Sequence, residues 1–301
     1  MPDKVPMLAP VVLFAYNRPL HLQKTLESLL QNPEAAESTL FVFADGAKSP
    51  QDQAAVAAVR AYLEQLSGFK EIHLHFSEQN QGLAQSVIQG VSLVLEKYES
   101  VIVLEDDLLF SKDFLQFMNA ALAAYQGHPH IFSISGYLYP IALPAAFPDD
   151  VLLLPRASSW GWATWRNRWE LADWQVQDFA TFCKNRQAQR AFQAGGEDLL
   201  AMLYKQQRGK ISSWAVRWSY THFRQEAYCL FPKYSKVQNI GTDSSGTHLP
   251  QTQKYDTVLS DEALKLSAAP VVPQEALVAL QDFFKPSPWR RLLNFLKYGI
   301  R

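Results

Sequence analysis

Short apolar runs at residues 11–16, 39–44, 72–76, 101–104 and 131–135 alternate with stretches of helical period over the first half of the chain. Such alternation leaves few options. Parallel strands need a crossover between them, and helical crossovers are right-handed and cover both faces of the sheet. The first predicted helix begins at Pro19, a residue suited to a first helical position. Others cover 52–66, 82–98 and 112–125. The expected fold is therefore α/β, with a mostly parallel central sheet flanked by helices.

The fourth run, Val101-Ile102-Val103-Leu104, leads straight into Glu105-Asp106-Asp107. Isolated buried carboxylates are costly, so three in a row either call for a cation or a polar ligand or form a solvated loop cluster, and the other strand ends favour the first. Extended geometry sends Glu105 and Asp107 to one face and Asp106 to the other. The other strand ends are polar too. Tyr16-Asn17-Arg18 follows the first run, Asp45-Gly46 the second, and Asn80 and Gly82 the third. Ligands of open α/β sheets bind outside the carboxyl ends of the strands, so these tips predict a nucleotide site. Arg18 suits a phosphate and Asp45 a base or ribose donor. Gly82 suits close backbone approach at a helix start, where amides favour anions. Asp107 suits a divalent ion bridging a diphosphate, with Mn or Mg as the hard-cation candidates. The chain has no G-x-x-x-x-G-K-[ST] loop and no G-x-G-x-x-G. Neither a P-loop enzyme nor a standard dinucleotide-binding unit is indicated.

Composition narrows the partners. Of 301 residues, 48% are hydrophobic and 19% charged, with a net charge of -1. No polyanion-binding surface is advertised, so nucleic acid is not an expected partner. Cys183 and Cys229 form no disulfide framework, and no His or Cys set has zinc spacing. No apolar run approaches the ~20 residues of a membrane span. Met1-Pro2-Asp3-Lys4 does not read as a signal peptide. The expected location is cytoplasmic.

Motif by motif, these residues resemble glycosyltransferases of the GT-A fold. Val12-Leu13-Phe14-Ala15-Tyr16-Asn17-Arg18-Pro19 resembles their opening strand, and Phe43-Ala44-Asp45-Gly46 their uridine-binding strand end. Asn80-Gln81-Gly82-Leu83-Ala84 resembles the loop and helix after their third strand. Val103-Leu104-Glu105-Asp106-Asp107-Leu108, with Lys112-Asp113-Phe114-Leu115-Gln116-Phe117, is similar to the metal motif of the inverting N-acetylglucosaminyltransferase I family. The resemblance implies that Asp107 ligates the metal and that Glu105 and Asp106 contact donor sugar and ribose. It implies Arg18 at the phosphates, Asp45 at uracil, and Ala15, Tyr16, Asn80 and Gly82 lining the donor site. It covers residues 9–140 closely and 151–248 loosely. The chain lacks the membrane anchor and stem of the Golgi enzymes, so it looks like a bacterial relative of family-2 type. The donor sugar is not carried over.

From residue 151 the alternation stops and tryptophan becomes frequent, with helices expected near 178–194, 198–207 and 215–228. Inverting transfer needs a carboxylate to take the acceptor's hydroxyl proton. Gly195-Gly196-Glu197-Asp198 resembles the acid pair that holds the base in these enzymes, and the second acid, Asp198, is the expected base. The alternative is a plain helix start, where acids are favoured. Ser158-Ser159-Trp160-Gly161-Trp162 resembles the loop between donor and acceptor, which makes Trp160 and Trp162 expected acceptor contacts. Trp165, Trp169, Trp214 and Trp218 read as core. The polar stretch 241–248 reads as a lid, with His248 reaching phosphate or metal, or else as an ordinary exposed loop.

The expected organisation is a nucleotide-sugar-binding half at 1–150, an acceptor and catalytic half at 151–265 with a flexible loop at 241–255, and a helical tail at 266–301. In the tail, Trp289, Leu292, Leu293 and Leu296 share a helical face flanked by Arg290, Arg291, Lys297 and Arg301. Such a helix either lies on an anionic membrane, here the inner face of the cell membrane, or docks on the core. The expected activity is metal-dependent, inverting hexosyl transfer from a nucleotide sugar, UDP-linked, to a glycan or glycolipid such as a bacterial surface polysaccharide. A nucleotidyltransferase of nucleotide-sugar synthesis shares the sheet but needs a Gly-rich basic loop where this chain has Asn17-Arg18-Pro19-Leu20. A non-catalytic sugar-binding relative has no use for both Asp107 and Asp198.

Overall fold

The computed structural model describes residues 8–144, 147–243 and 252–300. Strand β1 (Val11–Ala15) leads to helix α1 (Pro19–Leu29), β2 (Thr39–Ala44), α2 (Gln53–Glu64), β3 (Glu71–Phe76) and α3 (Leu83–Leu95). Then come β4 (Ser100–Glu105), β5 (Leu108–Phe110), α4 (Phe114–Tyr125), β6 (Ile131–Ser135), β7 (Val151–Leu154) and β8 (Trp162–Trp165). Helices α5 (Arg166–Trp169), α6 (Phe179–Phe182), α7 (Arg186–Phe192), α8 (Asp198–Gln207) and α9 (Trp214–Arg224) follow. The chain ends with β9 (Tyr228–Pro232), β10 (Val237–Asn239), α10 (Gln274–Phe283) and α11 (Pro288–Tyr298).

The central sheet has eight strands in the order β3-β2-β1-β4-β8-β6-β9-β7, with β3, β2, β1 and β4 all parallel. Strand β8 enters antiparallel between β4 and β6, β6 and β9 are parallel, and β7 closes the edge antiparallel to β9. The sheet is thus α/β and mostly parallel, as expected. Its period-two alternation feeds two layers. Val11, Leu13, Ile102 and Leu104 join one apolar cluster, whereas Val12, Phe14, Val101 and Val103 join the cluster on the other face. Both faces of β1 are covered, so its apolar run has no solvent side.

The second half differs from expectation in detail. Loss of helix alternation hides three further strands of the same sheet, β7, β8 and β9, because antiparallel strands need no helical crossover. The expected helix at 178–194 is two short pieces, α6 and α7, divided at Asn185, whose side chain accepts from Ala188 N to start the second. Helix α8 falls on the expected residues. Strands β5 and β10 pair antiparallel as a separate ribbon, with Asn239 opposite Leu108. Helix α10 belongs to the main core through Ala276 and Leu280. Residue 8–300 helices include none long and apolar enough to cross a membrane among the described residues.

One buried Lys holds the returning chain. Lys236 is fully buried, and its Nζ donates to Asp113 Oδ2 (2.6 Å), Ser260 O (2.9 Å) and Glu262 O (2.6 Å). An ammonium has three donors, and all three are used. They tie the segment after the 244–251 stretch to the start of α4.

His222, in α9, is also fully buried. Its Nδ1 lies 2.8 Å from Trp218 O and its Nε2 2.8 Å from Ser133 Oγ. A neutral ring satisfies both, donating from Nδ1 and accepting at Nε2. Burial pushes its pKa down to about 4 from an ordinary 6.5. The unfolded chain therefore takes up this proton at higher pH than the folded one, and acid favours unfolding. Its contribution is intact above about pH 6.5 and falls toward pH 4, by at most ~1.4 kcal/mol per pH unit. Urea denaturation across this range should show that slope, and His222→Gln should flatten it.

Candidate donor and acid cluster site

The strand tips meet at one edge of the sheet. Strand β4 ends at Glu105 and the chain turns at once. The alternation expected to part Asp106 from Asp107 therefore stops, and both reach one cation. Arg18 Nη2 lies 2.5 Å from Asp106 Oδ1 and 2.9 Å from Asp107 Oδ2. Asp106 Oδ2 also accepts from Tyr16 N at 3.1 Å, which links the end of β1 to the end of β4. Both acids are buried. Burial alone would depress the Arg18 pKa, but Asp106 and Asp107 outweigh it and raise it. Burial pushes the Asp106 carboxyl up against the pull of Arg18. Glu105, half-buried, is pushed well up by burial, then by Asp107 and Asp106.

Two polar atoms here are buried with no hydrogen-bond partner among the described residues: Arg18 Nη1 and Asp107 Oδ1. One is a donor and the other an acceptor, and they belong to side chains already bonded to each other. The segment after β10 closes over them. Ile240 N donates to Asp107 O at 2.8 Å. A Cβ on Gly241 would stand 2.0 Å from Asp107 Oδ2 and 2.7 Å from Arg18 Nη1. Only a glycine lets the backbone lie against this pair. Neither orphan atom nor Gly241 was legible as such in the sequence.

The other expected donor residues assemble around this pair with a different division of labour. Asp45, expected at a base, accepts from Gly46 N (2.9 Å), Gln81 N (2.8 Å) and Gly82 N (2.9 Å). A carboxylate has about four acceptor positions, so one remains. Asn80 Nδ2 donates to Gly46 O at 2.9 Å. Both residues pin the loop before α3, where Gly82 adopts φ +77°. Tyr16 Oη accepts from Lys48 N at 3.0 Å, and Asn17 Nδ2 donates to Asp52 Oδ1 at 2.9 Å. Ala15 ends β1 beside Ala44. His248 lies outside the described residues.

Asp198 opens α8 and forms a forked pair with Arg156, Nη1–Oδ1 2.8 Å and Nη2–Oδ2 3.0 Å. Arg156 follows β7, is buried, donates to Gly195 O at 3.1 Å, and lies 3.6 Å over the Phe284 ring. Burial would lower its pKa, but Asp198 raises it. The sequence reading missed Arg156, although a lone cation closing Val151-Leu152-Leu153-Leu154-Pro155 was a signal that it needed an acid. Glu197, its neighbour's neighbour, pairs elsewhere, with Arg291 of α11.

Trp160 is half-buried, edge-on to Tyr137 (4.7 Å) and Tyr255 (5.5 Å). Tyr255 meets Phe283, and Phe283 meets Phe284 beneath Arg156. An aromatic run thus joins Trp160 to the Asp198 pair. Trp162 does not share that surface. It has no exposed area and stacks on Trp214 at 4.9 Å, within a cluster that includes Trp169, Trp174 and Trp218. Its expected acceptor contact is corrected: strand alternation in β8 turns the ring into the core. Among the described residues, no three His, Cys, Asp or Glu side chains are grouped as a ready-made metal cage.

Residues 11–141 match the model of a family described as glycosyl transferase family 2. That span carries Arg18, Asp45 and the three acids. Among solved structures, the chain is similar to GalNAc-T7 with UDP, GalNAc and Mn2+, at 12% identity and TM-score 0.50. That match covers 78% of this chain and 44% of the other. It is also similar to mannosyltransferase PcManGT from Pyrobaculum calidifontis in complex with GDP-Man and Mn2+, at 17% identity and TM-score 0.38, covering 59% and 51% of the two chains. The chain spans about half the length of the structures it matches. The likeness to the first is one of fold, and the GT-A architecture expected from the sequence is the one observed.

The bonding of Asp45 generates a stability prediction. Asp45→Ala leaves three amides of the β2 and β3 ends without their acceptor, at an expected cost of about 2–4 kcal/mol, reduced where water reaches them. Thermal denaturation of the two proteins checks it.

Proposed function

We propose that this chain is a metal-dependent, inverting glycosyltransferase that moves a hexosyl group from a nucleotide sugar to a glycan or lipid-linked glycan. The observation that carries the reading is the pair of orphan atoms, Arg18 Nη1 and Asp107 Oδ1, at the end of β4. A diphosphate with a divalent cation complements both. The family match over 11–141 supports the same reading. A uridine base and a bacterial surface polysaccharide as acceptor belong to the proposal. The free acceptor position on Asp45 suits the N–H of a uracil ring.

The residues fit Mn or Mg. Two carboxylates hold one guanidinium, and Asp107 Oδ1 is an unfilled hard-oxygen ligand. Such cations are commonly held by one or two carboxylates plus substrate phosphates, so no protein cage is required. When bound, the cation withdraws charge from the departing diphosphate. Asp107 would hold it. Arg18 Nη1 donates to a phosphate oxygen, and Gly241, against both, excludes water from the pair. Glu105 and Asp106 take the hydroxyls of sugar and ribose.

Asp198 takes the acceptor's proton. The acceptor oxygen forms its bond to the anomeric carbon from the face opposite the diphosphate. The bond from that carbon to the phosphate oxygen breaks with its electron pair leaving on the diphosphate, and configuration inverts. Arg156 holds Asp198 in a fixed orientation, using one side of each carboxylate oxygen. Proton transfer comes as carbon–oxygen bonding makes the hydroxyl acidic. Trp160 offers an aromatic face to the acceptor ring.

Two variants test the assignment by calorimetry and by transfer with a panel of nucleotide sugars. Asp107→Ala should weaken Mn-dependent donor binding by more than about tenfold, as expected for a lost charge-assisted ligand. Asp198→Asn should bind donor within about threefold of wild type yet lose at least ~10²-fold in transfer, because a base acts in the transition state. Unchanged donor binding in Asp107→Ala overturns the metal assignment.

A further inference from the structure

Helix α11 is fully specified at both ends. Ser287 Oγ accepts from Arg290 N, Pro288 stands at its first position, and Gly299 closes it in the left-handed region at φ +68°. A helix of 11 residues is marginal alone. Docking on α8 holds it. Arg291 forks onto Glu197 at 2.5 and 3.0 Å. Arg208 Nη1 donates to Lys297 O at 2.8 Å, and its guanidinium lies 4.8 Å over the Tyr298 ring. Asn294 is buried.

These contacts use the polar side of an amphipathic helix, so the apolar side is turned outward. Trp289 is 67% exposed, Leu292 46% and Leu296 68%. Their spacing of three and seven residues puts them on one face. Single exposed apolar residues are ordinary, but three aligned on one short helix are not. The flanking charge is of one sign. Arg290 and Lys297 are exposed beside this face, and the pKa of Lys205 on α8 is lowered by burial and then by these same two cations, which places all three together. A protein core tolerates apolar surface but not unpaired cations. An anionic lipid surface takes both, with the apolar side chains in the headgroup layer and the cations at the phosphates.

We propose that α11 seats this protein on an anionic bilayer through Trp289, Leu292 and Leu296, with Arg290, Lys297 and Lys205 at the lipid phosphates. Arg291 ties α11 to Glu197, next to Asp198, so the seat brings the acceptor end of the molecule to the lipid surface. The seat stands without the proposed glycosyl transfer. Its consequence, an acceptor held in the membrane, rests on it.

Co-sedimentation with phosphatidylglycerol-rich vesicles, without any sugar nucleotide, tests the seat independently of activity. The full chain should bind, and raising salt from about 0.1 to 0.5 M should weaken binding as screening increases. The triple variant Trp289→Ser, Leu292→Ser, Leu296→Ser should bind at least tenfold less while keeping the wild-type circular dichroism. The second variant, Arg290→Glu with Lys297→Glu, leaves the apolar face intact and should also lose binding. No binding by the full chain, or equal binding by the apolar variant, overturns the proposal. So does a dimer in sedimentation velocity that the triple variant abolishes without any effect of vesicles, because the face is then a contact between copies.

Discussion

One guanidinium bridging two carboxylates organises the strand-tip edge of this molecule. Arg18 comes from the end of β1 and the acids from the end of β4, so the ion pair joins central strands at the point where both stop. Three acids in succession would repel one another in a buried place. Arg18 offsets part of that repulsion and leaves part of it standing. Removing one partner from this buried set would expose the desolvation cost of the other. Everything nearby serves to keep the pair dry and fixed: the Tyr16 amide on Asp106, the Ile240 amide on Asp107 O, and a glycine where no side chain fits.

A second pair, Arg156 with Asp198, repeats the device in the other half, and the two halves share a sheet. Glu197 and Asp198 are adjacent in sequence but belong to different ion pairs on different elements, one facing the core and one facing the tail helix. The start of α8 is therefore fixed from two directions.

The parallel half was legible because helical crossovers print a strong period on the sequence. Strands β1 to β4 and β6 fall near the expected residues, and the polar tips that carry Arg18, Asp45 and the three acids converge as topology requires. Strands β7 to β9 were not legible. They are short, antiparallel in part, and apolar on both faces, so they print no alternation and resemble the helices around them. Trp160 and Trp162 illustrate the same limit at the site. The two are only two places apart, yet one ring meets Tyr137 and the other meets three tryptophans. Arg156 escaped notice because a lone Arg acquires meaning only when a distant acid folds against it.

Every tryptophan in the chain lies at or beyond residue 160. Five of them, Trp162, Trp169, Trp174, Trp214 and Trp218, form one contiguous cluster on the side of α3 and α9. Excitation absorbed by any one of these indoles can pass to its neighbours, so the cluster emits as a unit. Intrinsic fluorescence of this protein is thus a gauge of its second half and of the face of β1 and β4 packed against it. A ligand that fills the strand-tip edge without disturbing the tryptophan layer binds in the dark.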